Sequence, residues 1–353
     1  MKLGFGLYKH MLNEENYRFA RQCGATDLVI HLVDYFNKGQ HITADNQPVG
    51  GEMGWGCAGD PDKLWTLEEL LAIKRQVNDN ELELFAVENF DPAFWFDVLL
   101  DGPRKDEQIE NIKELIKRIG KAGIKCMGYN FSLAGVCSRI EGPFARGGAM
   151  SVGMDGIDQT PVPNGMVWNM VYDVNAPKGD QPKVTVEQLW DRLEYFLKQV
   201  LPVAEEAGVV LALHPDDPPA EMVRQTPRLV YQAGLYQKVL DIADSSSNCL
   251  EFCLGTIAEM PDDDVYEAAD YYSKQNKLAY VHFRNIRGKA PYYREVFIDE
   301  GDIDMLRILQ ILKRNNYAGV IIPDHTPQMS CGTPWHSGMA YAMGYMKALI
   351  ELV

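Results

Sequence analysis

The sequence contains no apolar run approaching the ~18 residues a membrane-spanning helix needs. Its opening, MKLGFGLYKHML, lacks the apolar core of a secretory signal and reads as a first strand. Both absences point to a cytoplasmic protein. Positive charge is scarce: 34 Lys and Arg face 50 Asp and Glu, a net charge of −16. A field of that sign repels polyanions, which argues against nucleic acid or an anionic membrane as partner. It leaves room for a small anionic substrate, provided local Arg or Lys residues reverse the field inside a pocket. Seven irregularly spaced cysteines in 353 residues make no disulfide frame and read as reduced thiols. No internal repeat or low-complexity linker stands out. No glycine-rich turn follows the first strand either. That strand runs into Tyr8, Lys9 and His10, which disfavours a doubly wound dinucleotide-binding sheet.

What is present is an alternation. Short apolar runs rich in Val, Ile and Phe occur near 3–7, 27–32, 82–87, 124–129, 208–213, 249–253, 278–283 and 318–322. Segments of helical periodicity separate them, at 14–23, 66–78, 106–121, 185–206, 226–242, 263–275 and 303–315, with a last one at 338–351. Eight strand–helix pairs in strict order predict a (β/α)8 TIM barrel, one domain spanning residues 1–353. Two inserts exceed ordinary loop length, 33–64 after strand two and 131–184 after strand four. Both follow a strand, so both are expected on the C-terminal face, where barrel enzymes place their chemistry. There they would serve as site covers or as contacts in a homo-oligomer.

The last four strands end on a distinctive set of side chains. VVLALHPDDPP finishes on His214, CLEFCLGT near Cys253, LAYVHFRNIRG on His282, and GVIIPDHTP on Asp324 and His325. Each alone has a bland explanation. A strand-end His is usually a satisfied polar group, a Cys in an apolar strand is usually packing, and an Asp-His pair can cap a helix. Delivered together to one rim of one barrel, imidazole, thiolate and carboxylate are the donors that bind a divalent transition metal. The mixed set favours Mn²⁺, Fe²⁺, Co²⁺ or Zn²⁺ over Mg²⁺, which prefers oxygen. Glu88 and His31, near the ends of strands three and two, are further pocket candidates.

These motifs carry a resemblance. HPDDPP with a following TPR segment, then FCLGT, VHFRNIRG and PDH, resemble the mannonate dehydratases of hexuronate catabolism. The resemblance is strong over about 185–326, moderate near 124–140 through GYNFSLAGVCSR, and faint in the first hundred residues. It implies a xylose isomerase-like barrel that converts D-mannonate to 2-keto-3-deoxy-D-gluconate with Mn²⁺ or Fe²⁺. It places the family's metal ligands on His214, Cys253, His282 and Asp324, and its acid–base histidine on His325. Arg284 and the segment around Tyr129, Asn130 and Arg139 fall where the family lines its substrate site. The chain departs from the pattern after His325. The loop TPQMSCGTPWHSGMAYAMGY stands where typical members carry a Gly-Tyr-Gly segment, and no tyrosine occurs before Tyr341.

The chemistry expected of such a site is loss of water from a sugar acid. A metal would stabilise charge developing as the proton α to the carboxylate leaves. His325 is the candidate for proton transfer, or else a residue orienting Asp324. Arg284 would anchor the substrate carboxylate with support from Arg139, or else pair with Asp216 or another rim acid. Asp216 is a candidate to orient a ligand or hydroxyl. His336 either replaces the absent tyrosine as a second acid–base group or is a loop residue in solvent. Two other readings stay open at this point: an isomerase or epimerase using the same metal site, and a sugar-acid-binding barrel without catalysis.

Overall fold

The computed structural model describes residues 1–36 and 54–353. Most of the 33–64 insert therefore lies outside the described residues.

Eight parallel strands close into a barrel among the described residues. They are β1 (Lys2–Leu7), β2 (Asp27–His31), β3 (Glu83–Glu88), β4 (Cys126–Tyr129), β5 (Val210–Leu213), β6 (Asn248–Cys253), β7 (Leu278–His282) and β8 (Val320–Ile322). Closure comes where Lys2 and Leu3 pair with Val320 and Ile321. The strands read as unbroken apolar runs because parallel strands are covered on both faces. Val29, Ala86, Cys126, Ala212, Tyr280, Val320 and Ile322 fill the barrel interior. The alternate residues face the helices.

Those helices are α1 (Glu14–Gln22), α2 (Leu67–Asp79), α3 (Lys105–Lys121), α4 (Val186–Ala207), α5 (Leu235–Leu240), α6 (Val265–Lys274), α7 (Met305–Arg314) and α8 (Pro334–Glu351). Helix α4 shows how sequence sets the boundaries. Thr185 and Gln188 form a reciprocal capping box, and Gly208 ends the helix at φ 65°. Leu189, Leu193, Phe196, Leu197, Val200 and Ala204 form its buried stripe.

The helix expected at 226–242 is a correction, since only Leu235–Leu240 is helical. Asp216 accepts the backbone N–H groups of Leu229 and Val230, both at 2.8 Å. Donors held by a side chain in this way are lost to a helix.

The 131–184 insert is partly sheet. Its strands Ile140–Ala145 and Ala149–Asp155 join the hairpin Asn285–Lys289 and Tyr292–Val296, which leaves the end of β7. The result is a four-stranded antiparallel sheet in the order 285–289, 292–296, 149–155, 140–145.

Candidate active site

A cavity of about 780 Å³, open solvent at its mouth included, sits at the C-terminal ends of the strands. One wall is aromatic, with Tyr8, Tyr35, Trp55, Trp168 and Trp335. The other is polar, with His31, Glu88, Asn130, Arg139, His214, Asp217, His282, Asp324 and His325.

His214, Cys253 and His282 offer ligand atoms that all lie within 4.8 Å of one another. His214 Nδ1 donates to the Pro215 carbonyl at 2.6 Å, which turns its other ring nitrogen toward the cluster. Thr256 Oγ1 donates to Cys253 Sγ at 3.2 Å. Burial would raise the Cys253 thiol, but the Arg284 guanidinium, with His214 and His282, holds it well below the usual range. A thiolate is the form that binds metal. Burial also works against a charged His214, yet its bond to Cys253 and the Glu251 charge lift it to about 9. Imidazolium beside thiolate is what such a donor set forms without an ion; binding one releases the proton.

His282 bridges two layers. Its Nδ1 lies 3.4 Å from Asp324 Oδ2, while Nε2 lies 3.1 Å from Glu251 and 3.3 Å from Glu88. Asp324 is farther out and does not join the tight three-residue group. It sits at φ 62°, in the left-handed region that short polar residues visit. Beneath, Glu88, Glu251 and His282 form a second close group. Burial and the charge of Glu88 push Glu251 up to about 8, whereas His31 and His282 overcome burial to hold Glu88 at about 2. Gly128 of β4 makes room for this layer, because a Cβ there would stand 2.5 Å from Glu251 Oε2 and collide with the Tyr280 hydroxyl.

His325 lines the cavity with Nε2 3.1 Å from Asp324 and Nδ1 2.8 Å from Glu295. Burial would lower it, but those two carboxylates outweigh burial and raise it to about 9. Arg139 also lines the cavity, paired with Asp217 at 2.5 Å. Its Nε finds no hydrogen-bond partner among the described residues. Asn130 is spent on structure: Nδ2 donates to the Pro215 carbonyl at 3.3 Å and Oδ1 accepts from Trp168 Nε1 at 3.1 Å. It thereby holds an indole against the cavity.

Three expected site residues are placed elsewhere. Arg284 is 3% exposed and does not line the cavity. It donates to Glu259 at 2.7 Å and Asp217 at 2.9 Å, so its role as an ion partner for rim acids is the one realised, with Asp217 in place of Asp216. Gly255 permits this, since a Cβ there would lie 2.5 Å from the guanidinium carbon. Asp216 pairs with buried Arg228 at 3.0 Å and caps the turn at 229–230, away from the cavity. His336 bonds Asn16 of α1 at 3.0 Å and packs on Phe19. Pro334 starts α8, and one residue is about 100° of helical rotation. Trp335 therefore faces the cavity while His336 faces α1. Tyr341 is also remote, touching Arg146 at 3.4 Å.

Sequence reading passes over Asp217, Glu251, Glu259 and Glu295. Glu251 has a signal, standing two residues before Cys253 on the same inward face of β6. Glu295 has none, since it belongs to a hairpin that reads as loop.

A sequence profile of D-mannonate dehydratase (UxuA) matches residues 35–141 and 153–352. The match reaches well into the first hundred residues, further than the motifs alone indicate, and the unmatched 142–152 falls in the accessory sheet. The mannonate dehydratase of Streptococcus pneumoniae (strain 70585) is 32% identical over 278 residues, covering 74% of this chain and 75% of that protein. Mannonate dehydratase 2 of Halalkalibacterium halodurans is 28% identical over 307 residues, covering 82% and 88%. The crystal structure of mannonate dehydratase from Streptococcus suis serotype 2 covers 100% of this chain and 94% of that one at 25% identity, with a TM-score of 0.75. A xylose isomerase domain protein from Planctomyces limnophilus covers 100% and 98% with a TM-score of 0.59; at 10% identity it shares the fold alone. With the profile covering most of the sequence and relatives above 30% identity, this chain belongs to the D-mannonate dehydratase family, a family of hydro-lyases.

Proposed function

We propose that this chain is a metal-dependent sugar-acid dehydratase that converts D-mannonate to 2-keto-3-deoxy-D-gluconate and water. The observation that carries the reading is the grouping of His214, Cys253 and His282, with His214, His282 and His325 lining one cavity of a family member.

The donor set fits a divalent transition ion. Cys253 is held as thiolate, and one nitrogen of each histidine is committed to a neighbour while the other faces the cluster. His214, Cys253 and His282 would hold the ion, with Asp324 approaching from the rim. The imidazoles suit Fe²⁺, the Asp324 carboxylate suits Mn²⁺, and these are the two ions the family resemblance implies. Such an ion, when bound, supplies Lewis-acid stabilisation of charge that builds on the carboxylate.

The chain's own residues do the rest. Arg139, which lines the cavity, binds the carboxylate, and Asp217 orients the guanidinium. The aromatic wall excludes water from the carbon skeleton. In the reaction the C2 proton leaves as a proton, its bond electrons form the C2–C3 double bond, and the C3 hydroxyl departs as water once protonated. The resulting enol tautomerises to the 2-keto acid. His325 lines the cavity beside Asp324 and exchanges the proton.

The test is turnover of D-mannonate followed as 2-keto-3-deoxy acid by periodate–thiobarbiturate colour. Chelation is expected to abolish the product, and added Mn²⁺ or Fe²⁺ to restore it. Full activity in demonstrably metal-free protein overturns the metal reading. An epimer in place of the keto acid overturns the dehydration.

A further inference from the structure

Glu295 reaches the cavity from outside the barrel. It lies on the accessory strand Tyr292–Val296, and its side chain is 5% exposed. Oε2 stands 2.8 Å from His325 Nδ1, and Oε1 stands 3.5 Å from Arg284 and 3.6 Å from Arg139. The strand that carries it is fixed on both sides. Ser151 Oγ of the neighbouring strand donates to the Glu295 carbonyl at 2.7 Å. Tyr293, two residues back and hence on the same face, donates to Asp217 Oδ1 at 3.3 Å. The far nitrogen of His325 lies 3.1 Å from Asp324, and both residues line the cavity.

A neutral imidazole can carry its proton on either nitrogen, and which one is free decides where a proton can be taken or given. Both nitrogens of His325 face a carboxylate, and Glu295, nearer at 2.8 Å than Asp324 at 3.1 Å, is placed to keep a proton on Nδ1 whether the ring is charged or neutral, as the buried carboxylate does in hydrolase triads. Resting on the dehydratase reading above, we propose that Glu295 is a positioning residue. It accepts the Nδ1–H of His325 and so holds Nε2 toward the substrate as the nitrogen that exchanges the proton. Glu295 touches no substrate atom. Its influence passes through the ring, and the accessory sheet is the frame that aims it.

The test is a double-mutant cycle on the manganese-loaded enzyme with D-mannonate. E295Q alone is expected to lower kcat at least about tenfold, with KM within about twofold and metal stoichiometry unchanged. In the H325N background the same change is expected to cost much less, because most of its effect passes through that ring and only its approach to Arg139 and Arg284 remains. An unchanged kcat in E295Q, or equal losses in both backgrounds, overturns the proposal. A second readout needs no turnover: the imidazole ¹⁵N signals of histidine-labelled, zinc-loaded protein, assigned by comparison with H325N. Wild type is expected to show His325 protonated at Nδ1, and E295Q to move that signal; a signal unmoved by E295Q overturns the proposal. If wild type makes no keto acid while its Nδ1 signal behaves as expected, the dehydratase reading fails and the positioning role stands. E295D, which keeps the charge but withdraws it by one methylene, is read in the same ways should E295Q fail to fold.

Discussion

Around Cys253, burial and charge pull in opposite directions, and charge prevails because Arg284 is itself buried and cannot be screened by water. Arg284 thus acts on Cys253 while standing 3.2 Å from Asp324 at the cavity's edge. The same logic separates two histidines that sequence alone offers as equal candidates. H325N is expected to lower kcat by about two to four orders of magnitude with metal content unchanged, the usual contribution of a proton-transfer group. H336Q is expected to leave kcat within about threefold, because that ring bonds Asn16 and faces α1, far from the chemistry. Steady-state kinetics beside metal analysis on both variants checks the pair, and similar losses in the two would put His336 back in the site.

Asp270 ties α6 to α7. It pairs with Lys274 on its own helix, and it accepts from Arg314 at 2.6 Å and from Asn315 at 2.9 Å at the end of α7. Bonds from Lys274, Asn315 and Arg314 hold its carboxyl below the usual range. A depressed carboxyl stabilises the fold above its unfolded value of about 3.9 and loses that contribution as pH falls through its folded value. D270N is therefore expected to unfold at lower urea than wild type at pH 7, and the gap to narrow below about pH 4. A gap independent of pH would mean that packing, and not charge, joins the two helices. The barrel strands are legible in the sequence because burial on both faces writes apolar runs such as VVLAL and LAYVH into the chain. The 285–296 hairpin is not. Arg287, Gly288, Lys289, Arg294 and Glu295 alternate too weakly to signal a strand; they pair within the hairpin, and its second strand also pairs through 292–294 with a strand more than a hundred residues earlier.

Much of the site follows from closure of the barrel. Strand ends converge because parallel strands are held in register, so His214, Cys253 and His282 at the ends of β5 to β7 are readable as one group, with Asp324 after β8 beside His282. The layer below them and the wall beside them depend on which side chains meet across the barrel, as with Glu88 of β3 and His282 of β7, and no local pattern records that. A ligand that bridges β5, β6 and β7 should also stabilise the whole fold. Excess Mn²⁺ over EDTA-treated protein is expected to raise the thermal midpoint by a few degrees, since saturation at about 100 times Kd adds about 2.7 kcal/mol. Identical midpoints in scanning calorimetry would show that the ion does not join those strands.

The accessory sheet ties together two excursions that the chain makes far apart, one after β4 and one after β7. Neither hairpin has its full complement of backbone partners without the other. Engineering of substrate preference by loop grafting is constrained accordingly: segments 131–184 and 285–296 form one transplantable module. A graft that exchanges only the first would leave Tyr293 and Glu295 without the neighbouring strand that aims them.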